Sequence, residues 1–342
     1  MSLRTPTLLG LVTAVAAGLS ACSGGGERPQ AVTPANTTSS GSMLTGVGST
    51  VPSAIYERWF EQFASQTGTR VNYHPVGSGA GIKQFIAETV DFGATDAPMK
   101  DSEIAKVNRG VVQLPMVGAA IAIAYNHSGC SLRLTQAQLV DIFLGRIRDY
   151  RELGCAPGRI TVVRRSDGSG TTYNFTNSLA AFNPAWKQQV SVAKSVQWPT
   201  GIGAKGNDGV SETVRRIPGG IGYMELSYAI RQKLSTAALQ NRAGKFITPS
   251  PENAEAALAA IDLGPQLTQS DPNPAGESSY PIVAYSWVLA YRNGNGAKAS
   301  ALRQMLESMS APAAQSQAAA LGYVPLPASV QSKVRSAIAT LQ

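Results

Sequence analysis

Short apolar runs alternate with amphipathic stretches along the chain from about residue 44 onward. Strands are predicted at residues 44–47, 71–74, 92–94 and 160–163, where apolar or β-branched residues stand between turn-forming ones. Helices are predicted over residues 52–66, 82–86, 171–182 and 300–321, where apolar residues recur at helical spacing. This alternation of strands and helices indicates an α/β protein.

Three of the strands lead through a loop of small residues into the start of a helix. These loops are GSTV at 48–51, GSGAG at 77–81 and RRSDGSG at 164–170. A helix N-terminus presents unpaired N–H groups and the positive end of the helix dipole, so three such ends could bind one oxyanion together. In open α/β sheets ligands bind beyond the carboxyl ends of the strands, where these loops lie. Each loop taken alone is better explained as an ordinary capped turn that binds nothing.

The third loop contains the most side chains that could bind an anion. Arg164, Arg165 and Asp167 lie within four residues of one another and are followed by small hydroxyl residues and glycines. A guanidinium suits phosphate or carboxylate, whereas an aspartate facing an anion is favourable only if the anion carries a proton. Phosphate carries a proton near neutral pH and sulfate does not. Arg165 and Asp167 could instead form a surface ion pair that contributes little.

Composition narrows the class of protein. The 342 residues, of which 43% are hydrophobic, can bury the core of one large domain or of two. The formal net charge of +8 comes without the dense basic runs of a nucleic-acid arm, so no nucleic-acid partner is expected. His74 and His127 are the only histidines, which disfavours a histidine-built zinc site or a Ser-His-Asp centre. We therefore expect neither a metal nor a cofactor.

The first residues predict export. An apolar stretch within residues 1–21 is too short to span a bilayer and follows a short basic segment, which is typical of a secretory signal. The sequence LSAC at 19–22 resembles the lipobox of bacterial lipoproteins, so Cys22 is predicted to carry a lipid that anchors the protein to a membrane. The alternative is an ordinary cleavage site beside a chance cysteine. Residues 22–42 are rich in Gly, Pro, Ser and Thr and are predicted to be a flexible linker.

The other two cysteines, Cys130 and Cys155, remain as a pair in an exported chain. A disulfide between them would stabilise the protein by roughly 3–4 kcal/mol in the chain-entropy model. Two separate buried thiols are the alternative.

Six motifs in a fixed order resemble those of the periplasmic substrate-binding protein of the bacterial ABC-type phosphate importer. They are GVGST at 46–50, GSGAG at 77–81, VDFGATDAP at 90–98, RRSDGSGT at 164–171, WPTGIGAKGNDG at 198–209 and GGIGY at 219–223. The similarity continues to GYVPLP at 322–327 and so covers essentially the whole globular part. No single motif is decisive, but the six in sequence are specific.

The resemblance implies a phosphate site built from the three loops and from the segment after residues 92–94. By motif position its residues are Thr50, Val51 through its amide, Ser78, Asp96, Arg165, Asp167, Ser169, Gly170 and Thr171. The two aspartates would accept hydrogen bonds from the ligand and the others would donate. Val51 stands where an aromatic residue is common in relatives.

The chain path and the resemblance together predict an α/β two-lobed periplasmic binding protein of type II, with the ligand in the interdomain cleft. Lobe one would comprise residues 43–116 plus 283–342 and lobe two residues 117–282, joined by a two-strand hinge. The implied function is capture of inorganic phosphate outside the cytoplasmic membrane, by a monomer, for delivery to the permease subunits of an ABC importer. A binding protein for sulfate, molybdate or tungstate is one alternative, and an extracellular phosphatase on the same scaffold is another.

Overall fold

The computed structural model describes residues 43–342, so the predicted signal peptide, Cys22 and the predicted linker lie outside the described residues. The strands are β1 (Met43–Gly48), β2 (Arg70–Pro75), β3 (Phe92–Thr95), β4 (Val111–Asn126), β5 (Arg133–Leu134), β6 (Thr161–Arg165), β7 (Ile202–Ala204), β8 (Gly220–Glu225), β9 (Ser235–Thr236), β10 (Ala238–Gln240), β11 (Phe246–Ile247) and β12 (Val283–Tyr291). The α-helices are α1 (Ser53–Thr67), α2 (Ser78–Ile86), α3 (Asp101–Ile104), α4 (Gln136–Phe143), α5 (Gly170–Phe182), α6 (Pro184–Gln189), α7 (Gly206–Arg216), α8 (Leu226–Arg231), α9 (Pro251–Ala259), α10 (Ala299–Ser310), α11 (Pro312–Gln315) and α12 (Ala328–Ile338). None of the helices in this part of the chain combines the length and the apolar character that a membrane span needs.

One curled mixed sheet runs through the described residues in the strand order β2-β1-β3-β12-β4-β8-β6-β7, with β9 also paired to β4. The first lobe carries β1, which pairs in parallel with β2 and β3. The second lobe carries β6, which pairs in parallel with β7 and β8. The structure confirms the prediction of an α/β, two-lobed fold.

Two antiparallel strands, β4 and β12, connect the lobes. The first part of β4, to Ala120, pairs with β12, and its last part, from Ile121, pairs with β8, so this one strand belongs to both lobes. On its other side β12 pairs with β3 of the first lobe. The register of β4 and β12 shifts between Ser286 and Trp287, which leaves Met116 as an extra residue. Such a bulge bends a strand and redirects its side chains.

The helices that follow β1 and β6 begin for local reasons. Pro52 stands just before α1, and the buried residues Ile55, Trp59 and Phe63 recur at the spacing of a helix that packs one face on the core. Ser169 caps α5, because its Oγ accepts a hydrogen bond from the Thr172 amide over 3.0 Å. Each of the two helices therefore begins after a short loop that follows the end of a strand.

The predicted continuous helix over residues 300–321 is wrong. Helix α10 ends at Ser310, and Pro312 begins the separate short helix α11. Proline lacks the N–H that a continuing helix needs and its ring clashes with the preceding turn, so the break falls where the sequence places it. The core-facing side is retained in α10, where Leu302 and Met305 are buried.

Cys130 and Cys155 are joined by a disulfide in the second lobe, with their Cα atoms 5.4 Å apart. The bridge ties the segment after β4 to the segment before β6 and spans a sequence separation of 25 residues.

Candidate functional site

The predicted loops meet where the two lobes face each other. The Gly79 amide of α2 donates to the Gly168 carbonyl of the second lobe over 2.8 Å. A Cβ built on Gly170 would lie 2.6 Å from Ser78 Oγ and 2.7 Å from Asp96 Oδ2. The start of α5 therefore lies directly against the start of α2 and the end of β3.

Asp96 lies at the centre of this cluster, is 1% exposed, and follows directly after β3. Its Oδ2 accepts hydrogen bonds from Ser49 Oγ over 2.5 Å and from Ser78 Oγ over 3.3 Å. Its Oδ1 accepts from Ser286 Oγ over 2.8 Å. An ionised carboxylate has about four lone-pair sites, so these three hydroxyls leave room for one more donor. Burial raises the pKa of Asp96 to about 6, although the serine hydroxyls and the charge of Arg165 act in the opposite direction.

Arg165 ends β6, and its side chain is only 1% exposed. Its Nε donates to Asp167 Oδ1 over 2.7 Å, its Nη2 contacts Asp167 Oδ2, and its Nη1 donates to Thr171 Oγ1 over 3.2 Å. Burial alone would raise the pKa of Asp167, but its hydrogen bonds with Arg165 hold that pKa below its usual range. Arg165 is buried and Asp167 is partly buried, so the pair is not the exposed surface ion pair that was one interpretation of the sequence.

Ser169, Gly170 and Thr171 form the N-terminus of α5, and all three are buried. The first amides of a helix have no acceptor within the helix and carry its positive partial charge. The Ser169 amide donates to the Lys194 carbonyl over 2.8 Å, and the Ser169 hydroxyl oxygen accepts from the Thr172 amide. The Ser169 hydroxyl proton and the amides of the two following residues remain as donors at this end of the helix.

Thr50 and Val51 belong to the loop between β1 and α1 and are both buried. Thr50 Oγ1 accepts from Asn207 Nδ2 over 2.8 Å, so this first-lobe loop contacts the second lobe directly. The Val51 amide donates to Ser49 Oγ over 2.9 Å, so this polar group already has a partner within its own loop.

Sequence reasoning missed several polar residues of the cluster. Ser49 and Asn207 lie inside motifs that the sequence singles out, so their position was signalled although their role was not. Ser286 lies on β12 outside those motifs, and only the pairing of β12 with β3 and β4 brings it to Asp96. Glu225, at the end of β8, is also buried nearby, and burial raises its pKa to about 8.

Arg164, next to Arg165, lies outside the cluster around Asp96. It is half-buried, and its guanidinium lies beside Gly203 of the neighbouring strand β7, where a Cβ would come within 3.1 Å of Nη1. Adjacent residues of a strand point to opposite faces of the sheet, which explains the different surroundings of the two arginines. Within residues 43–342 no three His, Cys, Asp or Glu side chains are grouped so that they could hold a metal ion.

Comparison with known sequences identifies the family. A profile described as "PBP superfamily domain" matches residues 31–309. The phosphate-binding protein PstS of Pasteurella multocida (strain Pm70) is 38% identical over 313 residues, which cover 86% of this chain and 89% of that relative. The phosphate-binding protein PstS of Methanocaldococcus jannaschii is 33% identical over 330 residues, which cover 84% of this chain and 83% of the relative.

Solved structures share the fold. A high-affinity periplasmic phosphate-binding protein, solved with phosphate at pH 8.5, superposes with a TM-score of 0.74 at 22% identity, covering 86% of this chain and 93% of the other. A putative phosphate ABC transporter substrate-binding protein from Clostridium perfringens, solved with bound phosphate, gives a TM-score of 0.65 at 20% identity, covering 83% and 100%. Together with the two-lobed α/β architecture and the extent of the sequence matches, these comparisons place the chain in the PstS family of phosphate-binding proteins within the PBP superfamily.

Proposed function

We propose that the protein captures inorganic phosphate outside the cytoplasmic membrane and delivers it to the permease subunits of an ABC-type importer. The observation that carries this proposal is the buried Asp96 carboxylate beside Arg165 and the N-terminus of α5, in a cluster to which both lobes contribute. Relatives that are phosphate-binding PstS proteins, matched over most of their length, support the choice of ligand. The family consists of substrate-binding transport proteins, so the role is capture and not catalysis.

In the proposed complex the anion is held mainly by hydrogen-bond dipoles. The donors would be Arg165, the hydroxyls of Thr50, Ser169 and Thr171, and the amides of Gly170 and Thr171. The Ser78 hydroxyl would join them only by turning its proton from Asp96 Oδ2 to the anion. Arg165 supplies a positive charge, and its two contacts with Asp167 fix the guanidinium before the ligand arrives. In this proposal Asp167 acts through Arg165, and not as the direct acceptor from the ligand that the resemblance implies. The Val51 amide joins this shell only if it exchanges Ser49 Oγ for the anion.

Asp96 would decide which anion is accepted. An ionised Asp96 can only accept hydrogen bonds, so it favours an anion that still carries a proton. Phosphate meets this condition near neutral pH. Sulfate, molybdate and tungstate carry no proton there, so an oxygen of the anion and the buried Asp96 carboxylate would face each other as two acceptors. Two acceptors that face each other without a proton cost about 1–3 kcal/mol, which corresponds to roughly 5- to 150-fold in affinity.

We also propose that the two lobes close on the ligand about β4 and β12, with lobe one formed by residues 43–116 plus 283–342 and lobe two by residues 117–282. Contacts across the cleft support a closing movement, since Asn174 Nδ2 of the second lobe donates to the Asp96 carbonyl over 2.6 Å. Binding between two lobes completes the donor set and removes the ligand from water.

The proposed location is the periplasm or the cell surface, with Cys22 as the lipidated anchor to a membrane and the following residues as a tether. The lipobox-like sequence before Cys22 supports this part of the proposal. Metabolic labelling with a radioactive fatty acid, compared between the wild type and Cys22→Ala, tests it.

Isothermal titration calorimetry with phosphate and sulfate in parallel tests the choice of ligand. We expect phosphate to bind at micromolar concentration or tighter, which corresponds to about −8 kcal/mol or more. Sulfate should bind far more weakly. Equal affinities for the two anions would refute the assignment to phosphate.

A further inference from the structure

We propose that Asn207 is a positioning residue of the phosphate site, which orients one threonine hydroxyl from each lobe so that both protons are available to the anion. The inference rests on the proposed phosphate-binding function and goes beyond the ligand shell that the resemblance implies. Asn207 is the second residue of α7 and is fully buried.

The hydrogen bonds of Asn207 fix the orientation of its side-chain amide. Its Oδ1 accepts from the Glu225 backbone amide over 3.1 Å, which assigns the oxygen to that side. Its Nδ2 donates to Thr50 Oγ1 over 2.8 Å and to Thr171 Oγ1 over 3.3 Å. One buried amide group therefore bridges the two threonines.

These contacts occupy the lone pairs of the Thr50 and Thr171 hydroxyls and leave their protons. A hydroxyl has one proton to donate and two lone pairs that accept. Thr171 Oγ1 also accepts from Arg165 Nη1 over 3.2 Å, and Thr50 Oγ1 also accepts from the Asn207 backbone amide over 3.3 Å. Each of the two threonine oxygens therefore accepts two hydrogen bonds. The proton of each hydroxyl is still available to donate to an anion.

The bridge also links ligand binding to the meeting of the lobes. Thr50 lies in the first lobe, whereas Thr171 and Asn207 lie in the second, so the contact with Thr50 exists only when the lobes meet. The preceding residue, Gly206, donates its amide to Asp167 Oδ1 over 3.1 Å. The start of α7 thus contacts both the Arg165–Asp167 pair and the loop of the first lobe.

Phosphate titration of the full exported chain and of Asn207→Ala tests the inference. We expect a loss of affinity of about 10- to 100-fold, since two buried hydroxyls lose the donor that orients them. The loss should appear mainly in a faster dissociation rate measured by stopped flow, because the bridge forms between closed lobes. In a Thr50→Val background the same substitution should cost only a few-fold, whereas a merely structural role would give two independent losses that multiply.

Asn241→Ala is the matched control. Asn241 is a buried asparagine whose Nδ2 donates to the carbonyls of Gly276, Glu277 and Ser279, away from the cluster. This variant should melt at a lower temperature than the wild type and bind phosphate with wild-type affinity.

Asn207→Asp keeps the acceptor for the Glu225 amide and the shape of the side chain, so it carries the test if Asn207→Ala fails to fold. It should lose at least as much phosphate affinity, because an acceptor replaces the donor. Wild-type affinity in either folded variant, or losses that multiply with Thr50→Val, would overturn the inference and leave the proposed function intact. A wild type that does not bind phosphate would overturn both.

Discussion

The two lobes bring different chemistry to one cluster. The first lobe contributes the Asp96 carboxylate and the serine hydroxyls that surround it. The second lobe contributes the Arg165 guanidinium and the N-terminus of α5. In the proposed phosphate site the second lobe would therefore supply most of the attraction for an anion, and the first lobe would supply the discrimination between anions. Affinity and selectivity can then be altered separately, although both need the lobes to meet.

Removal of the charge in the second lobe should have the largest effect. Arg165→Ala is expected to lower phosphate affinity on the order of 1000-fold, because charge-assisted hydrogen bonds are lost and the Asp167 carboxylate is left unpaired. Calorimetry measures the loss. Arg164→Ala removes the neighbouring cation on the same strand and should leave the affinity close to that of the wild type. A near-neutral Arg165→Ala would mean that the second lobe does not supply the attraction.

A methyl group between the lobes should have the next largest effect. Gly170→Ala places a Cβ within 2.7 Å of Asp96 and 2.6 Å of Ser78 Oγ, so the lobes must separate to accommodate it. We expect phosphate affinity to fall about 100-fold, because the added methyl group forces the buried contact between the lobes apart by several tenths of an ångström. Small-angle scattering should show a more open protein with phosphate present. Gly209→Ala, whose Cβ would find its nearest neighbours at 3.7 Å, serves as the tolerated control.

The discrimination assigned to the first lobe is tested by Asp96→Asn. The amide of asparagine can donate to an anion without a proton, so the ratio of phosphate to sulfate affinity should fall by about tenfold or more. Competition calorimetry measures this ratio. Asp167→Asn, in the second lobe, should lower the affinity for both anions and leave the ratio of the two affinities nearly unchanged, because Asp167 contacts Arg165 and the Gly206 amide. If Asp167→Asn changes the ratio and Asp96→Asn does not, the roles of the two lobes are reversed.

A smaller effect, also due to the Asp96 carboxyl, is expected in the pH dependence of sulfate binding. Burial raises the pKa of Asp96 to about 6, so below that pH the carboxyl becomes a neutral acid that can donate. Sulfate carries no proton in this range, and its affinity should therefore rise as the pH falls through about 6. The rise should be absent in Asp96→Asn. It should persist in Glu225→Gln, which removes the other nearby carboxyl with a raised pKa.

The disulfide of the second lobe should matter least for binding. Replacement of Cys130 and Cys155 by serine is expected to lower the free energy of unfolding by about 3–4 kcal/mol, since a closed loop restricts the unfolded chain. Denaturant unfolding measures this change. Phosphate affinity should stay within about twofold at a temperature where the protein remains folded. A large loss of affinity in the folded protein would mean that the bridge positions the site.

Local patterns explain why much of the fold and of the site could be predicted from the sequence. The strand before α1 and the helix itself depend on residues that are neighbours in sequence, and Ser169 caps a helix that begins at the next residue. Pro312 interrupts the predicted helix over residues 300–321 for an equally local reason, which the apolar spacing alone did not reveal.

The alternation of strands and helices, the small-residue loops and the identity of most donors could be predicted locally, because propensity, capping and periodicity act over a few residues. Which of these groups share a hydrogen bond became clear only from the folded chain. Ser286 reaches Asp96 across 190 positions, and Asn207 reaches Thr50 across 157. Such contacts depend on the pairing of β12 with β3 and on the meeting of the two lobes, which are set by burial over the whole chain and not by any local pattern.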